Sequence, residues 1–155
     1  MYRSLTGTPR DVVLLVGRVV LAYILVMHAW QKVDAGLFDT AAVFSKFGIP
    51  LAIAAASFTI VVELVAAASL LLGLKMVVPS ALMVFVMGGA IWFVHGQNGL
   101  FMANNGWALV GVIICGLLAF MTSGAGRFSV DALLSAHAQR RMEQTAAIPR
   151  QTISV

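Results

Sequence analysis

The chain reads as an all-α membrane protein, a four-transmembrane-helix bundle with a short interfacial helix in its first outer loop. Two observations lead there. Of its 155 residues, 61% are hydrophobic and only 10% charged, where a soluble domain carries roughly 25% charged residues. The apolar residues also fall into four continuous runs, each close to the ~20 residues that cross a bilayer core. A globule this small has no interior large enough to hide them, so the solvent is lipid.

The runs are Val12–Val33, Leu51–Leu74, Met76 to about Val94, and Trp107–Thr122. None shows the alternation of a barrel strand, so helices are expected throughout. The first run exceeds the apolar part of a signal peptide and lacks a small-residue cleavage pattern, so it reads as a retained span. Only Gly73-Leu74-Lys75 separates the second run from the third, which predicts a tight antiparallel hairpin. Pro79 falls in the first turn of the third helix, where its missing N–H costs little. The fourth run is the shortest and is expected to borrow a turn at either end.

Between the first two runs, 34–50 carries Phe38, Val43, Phe44 and Phe47 at near-helical spacing, which predicts the interfacial helix. Asp39 is the expected cap, and Gly48-Ile49-Pro50 the expected stop. The loop Gly96 to Gly106 is uncharged and rich in turn formers, and Gly124-Ala125-Gly126 should break the fourth helix. The organisation is thus a terminus of residues 1–11, a membrane domain of residues 12–131 and a polar tail of residues 132–155.

Net charge is +4 and the pI near 9.9. Nucleic acid is excluded as a partner because the basic residues are scattered at helix ends rather than gathered in a stripe. They set orientation instead. Arg3, Arg10, Lys75, Arg127, Arg140, Arg141 and Arg150 fall on the side of the termini, against Lys32 and Lys46 opposite. Both termini should therefore be cytoplasmic, with Trp30, Trp92 and Trp107 near the outer interface. The lone Cys115 can form no internal disulfide or redox pair and reads as a small packing residue.

Arg18 and Glu63 stand inside apolar runs, where an ionisable group costs at least ~2.5–3.5 kcal/mol. Their depths allow a buried charge pair, the expectation adopted here; its alternatives are Arg18 reaching alone to headgroups and Glu63 handling protons or a ligand. At the opposite end, His28 and Lys32 share one helix face, four residues apart. His95 closes the third run at a similar depth, beside Trp92, with Trp30 near His28. Ordinary interfacial histidines bond loop carbonyls or water, which disfavours haem. A quinone headgroup asks only for hydrogen-bond donors beside an apolar wall, and His28, Lys32, His95, Trp30 and Trp92 form the candidate site. No catalytic residues and no metal ligands are assigned, since no carboxylate cluster, phosphate loop or nucleophile–base motif is present.

The chain resembles the DoxX family of small bacterial membrane proteins. The resemblance is carried by Arg18, by His28-Ala29-Trp30-Gln31-Lys32, by Phe47-Gly48-Ile49-Pro50, by Glu63 and by Leu71-Leu72-Gly73-Leu74. It continues through His95 to a closing Gly124-Ala125-Gly126-Arg127-Phe128-Ser129-Val130-Asp131, and so covers roughly Val12–Asp131. Ala29 departs from the glycine that the family often has there. The resemblance implies four transmembrane helices in a bacterial plasma membrane. It also implies association with membrane redox systems, including thiosulfate:quinone oxidoreductases and complexes linked to oxidative stress. The expected role is an accessory or quinone-contacting subunit of a membrane oxidoreductase or respiratory complex, not catalytic alone, with redox subunits as partners. The competing readings are a small transporter centred on Arg18 and Glu63, and a structural membrane scaffold.

Overall fold

The computed structural model describes residues 6–146, so Arg3, Arg150 and the tail beyond 146 lie outside the described residues. Among the described residues six α-helices follow one another: α1 Thr8–Ala35, α2 Leu37–Lys46, α3 Ala52–Leu72, α4 Val77–Ala90, α5 Ala108–Ser123 and α6 Val130–Ala146. No strand occurs among the described residues. Three stretches of the described residues are long and apolar enough to cross a membrane, Thr8–Ala35, Ala52–Leu72 and Val77–Asn98, and α5 is a shorter apolar helix. The fourth run borrows no extra turn: its helix is 16 residues long, with Trp107 at its N-cap and Gly124, at φ 72°, ending it.

The buried faces explain the packing. On α1, Arg18, Leu21, Ala22, Leu25 and Ala29 are buried, three and four residues apart, so they form one stripe. On α3 the matching stripe is Ala56, Val62, Glu63, Ala66, Ala67 and Leu70. Small residues on both let the two antiparallel backbones approach closely, as membrane helices do in place of hydrophobic collapse. Helix α3 also packs against α2 and α4, and α5 packs against α4 and α1. Met83, Met87, Ile113 and Leu117 complete the core.

The hairpin turn forms as expected, with Gly73 in the left-handed conformation at φ 63°. Helix α2 also forms where expected and ends at Lys46, with Phe47 as its C-cap and Gly48 just beyond at φ 72°. Asp39 does not cap it: the N-cap is Gly36, and Asp39 lies within the first turn, where a carboxylate still favours the helix dipole. Cys115 faces outward instead of packing inside.

At one end, the segment between α5 and α6 clasps the bundle. Arg127 bonds Asp11 through its backbone N–H at 3.1 Å and its side chain at 2.5 Å, and it also reaches Thr8. Asp131 accepts a bond from the Lys75 N–H, and its own N–H donates to the Gly73 carbonyl. The start of α1, the α3–α4 turn and the start of α6 therefore share one end of the molecule.

Candidate functional site

Arg18 and Glu63 do not pair. The Arg18 guanidinium donates to the carbonyls of Ala125 and Phe128, the latter at 2.8 Å, and so belongs to the clasp. Glu63 is held by Lys32, whose Nζ lies 2.8 Å from Oε1 and 2.9 Å from Oε2. The reason is the direction in which helical side chains lean. They tilt toward the N-terminus of their helix, so Arg18 extends toward the clasp and away from Glu63. Lys32, two heptads further along the same stripe, leans inward from the other end and meets Glu63. Depth alone brings Arg18 and Glu63 within reach; side-chain direction separates them.

This inner pair is deeply placed. Glu63 is 1% exposed and Lys32 19%. Contact with both carboxylate oxygens fits an ionised carboxylate against an ammonium, the arrangement that makes a buried charge tolerable. Lys32 Nζ also donates to the His28 carbonyl at 3.2 Å. Thr40 of α2 donates to the Lys32 carbonyl at 3.1 Å, tying α2 to the end of α1.

Beside this pair lies a cavity of about 870 Å³. Its polar lining is His28, Lys32, Thr59, Glu63, His95 and Asn105. Its apolar wall includes Phe44 and Phe47 beside α2, Phe85 and Trp92 along the third run, and Leu109 and Val110 of α5. Phe85 and Trp92 are 73% and 79% exposed, so the cavity reaches the surface of the bundle. His28 makes no hydrogen bond through its ring to any described residue, whereas His95 Nδ1 is 2.9 Å from the Asn105 carbonyl.

Of the residues that the sequence points to, His28, Lys32, His95 and Trp92 line one cavity. Trp30 does not. It is 61% exposed and borders a shallow depression with Met27, His28, Gln31 and Asp34. Two residues beyond His28 is about 200° around a helix, which carries Trp30 away from the large cavity that His28 also lines. Thr59, Asn105, Phe44 and Phe47 escaped the sequence reading of the site. Thr59 carried a usable signal, since it stands one turn before Glu63 on the same stripe.

The backbone around His95 is unusual. Ile91–His95 is a π-helical turn, closed by the Gly96 N–H on the Ile91 carbonyl. Such turns occur mostly as single insertions and often at functional sites. Gly96 is required there, because a Cβ would lie 2.7 Å from that carbonyl oxygen.

The DoxX family model matches residues 13–96, more than half of the chain. The chain belongs to the DoxX family. In this DoxX protein the match spans α1 to the π-turn and so includes Arg18, His28, Lys32, Glu63, Trp92 and His95; the clasp segment 124–131 lies beyond it. No curated protein and no solved structure matches the chain.

Proposed function

We propose that this DoxX protein is a quinone-contacting subunit of a bacterial membrane oxidoreductase or respiratory complex, with electrons carried by partner subunits. The observation that supports it is the cavity where His28, Lys32, Glu63 and His95 converge against an aromatic wall that opens at the bundle surface. Its volume falls within the roughly 300–1,000 Å³ of small-ligand sites, which are largely apolar with a few placed polar groups. A quinone has that make-up: a polar ring for the inner end, and a tail that leaves past Phe85 and Trp92 into lipid. Lys32 holds the inner wall in place through Glu63, and the unbonded His28 ring remains to meet a ring oxygen.

In this reading α1, α3, α4 and α5 all cross the plasma membrane, with the clasp and both termini on the cytoplasmic side and the cavity near the outer face. The basic residues at the clasp end favour that orientation. Helix α5, at ~1.5 Å per residue, measures about 24 Å and is accommodated by a locally thinned bilayer. Helix α2 lies at the outer interface, with Phe38 exposed toward lipid. A transporter centred on Arg18 and Glu63 loses its premise, because those residues serve opposite ends of the bundle.

The test is to purify the protein from its own membrane and extract its lipids. Quinone should be retained by the wild type and lost when His28 and His95 are both replaced by alanine, with the fold preserved. Wild-type protein free of quinone, or equal retention by the double variant, would refute the proposal.

A further inference from the structure

We infer that Gly88 and Gly89 set the chain specificity of this cavity: with Phe85 and Trp92 they form a slot that receives the ligand's apolar tail. This rests on the quinone reading above and concerns the same site.

Both glycines stand inside α4, and both line the cavity. Only proline is a poorer helix former than glycine, so two in succession within a helix need a reason. The two usual reasons are absent. Neither residue has a positive φ. Beyond the helix's own backbone, a Cβ at either would meet no described atom within 4 Å. The glycines inside α1 and α5 behave differently. A Cβ at Gly17 would lie 2.9 Å from Phe120, one at Gly111 3.0 Å from Trp107, and one at Gly116 3.3 Å from Leu21. Those three make room for side chains of the protein itself. Gly88 and Gly89 leave their room to the cavity.

What fills that room follows from their place on the helix. At about 100° per residue, Phe85 and Trp92 stand nearly in line along the third run, two turns and ~10 Å apart. The glycines fall midway, one on either side of that line. Bare backbone thus floors a gap between two aromatic side chains that are 73% and 79% exposed. None of these four residues carries a carboxylate, amide or hydroxyl, whereas the polar lining of the cavity includes Glu63, which is 1% exposed. A ring that bears oxygens belongs at that inner end, and the chain attached to it leaves through the gap. An alkyl or prenyl chain there makes dispersion contacts with backbone and aromatic rings, which a larger side chain at 88 or 89 would displace.

The test uses full-length protein in detergent and isothermal titration calorimetry. Its two probes are a decyl-substituted benzoquinone and the same ring carrying methyl in place of decyl. Gly88→Leu with Gly89→Leu should weaken binding of the decyl form about tenfold or more, by overpacking the slot. The methyl form should bind both proteins equally, read by its displacement of the decyl form where its own heat is too small. Wild type and variant share the same micelle, so partition of the chain into detergent cancels from the comparison. Gly88→Ala with Gly89→Ala should raise the unfolding temperature, since alanine favours the helix and meets no clash, and yet weaken the decyl form. This second variant decides the matter should the leucine protein not fold. An unchanged decyl affinity in the deciding variant overturns the inference, and the glycines would then face bulk lipid or another protein chain. Equal losses for both probes also overturn it, because the new side chains would then close the cavity to the ring. If wild type binds neither probe, the quinone reading fails and this one with it.

Discussion

Lys32 reaches back along α1 to place its ammonium 2.8 and 2.9 Å from the two carboxylate oxygens of Glu63 on α3. That bond joins the two most intimately packed helices and forms the inner wall of the cavity. It makes Lys32 a positioning group for Glu63.

Breaking the pair from one side should be worse than removing it. Lys32→Met leaves a buried carboxylate without its partner, a loss that costs about 3–5 kcal/mol at buried sites. The double change Lys32→Met with Glu63→Met should regain a large part of this. Thermal unfolding in detergent, read by size-exclusion fluorescence, checks it. A double variant no more stable than Lys32→Met would show that the bond contributes no coupling.

Arg18 should behave independently of Glu63. Its partners are the Ala125 and Phe128 carbonyls, so Arg18→Leu should loosen the clasp and expose residues 124–131 to limited proteolysis. Arg18→Lys should rescue only in part, since a single ammonium cannot reproduce the planar fork that spans two carbonyls. Residues that share no partner give additive effects within about 0.3–0.5 kcal/mol, and that is the expected result of an Arg18–Glu63 double-mutant cycle. A coupling well above this would place the two side chains in contact.

These two results mark where the sequence was readable and where it was not. Hydropathy located the apolar helices, and glycines at 48, 73 and 124 marked their ends, because both signals are local. The cluster of His28, Lys32 and His95 was legible because helix ends of equal depth must meet at one end of a bundle. The partner of Glu63 was not, since depth along a helix says nothing about side-chain lean. Trp30 lies outside the large cavity, a placement that helical rotation over the two residues from His28 accounts for. Asn105 had no sequence signal, because the fold of an irregular loop brings it to the cavity.

Gly73 is where the hairpin turn, Arg18 and the clasp touch. A Cβ there would lie 2.6 Å from an Arg18 nitrogen and 2.5 Å from the Ser129 side chain, on a backbone at φ 63°. Gly73→Ala should therefore destabilise by roughly 1–3 kcal/mol, the usual cost of overpacking. Gly48→Ala supplies the control, since φ is equally positive at 72° but the space around it is open. It should cost less in the same unfolding assay. Equal losses at the two positions would assign the effect to backbone strain alone.

The proposed orientation, with the clasp end inside, rests on the basic residues at that end. In a Cys115→Ser background, a cysteine at Asn98 should react with an impermeant maleimide in intact cells, and one at Ser135 should react only after lysis. Labelling of Ser135 in intact cells with Asn98 protected would invert the topology.

The central claim, a quinone site in the cavity between α2, the third run and α5, is tested most directly by photo-crosslinking. An azido-benzoquinone with a decyl tail, irradiated with the full-length protein, should label segments 43–50, 85–95 or 102–110, and unlabelled decylbenzoquinone should suppress that labelling. Label confined to the outward face of α5 around Val112 and Leu118, undiminished by competitor, would contradict the account.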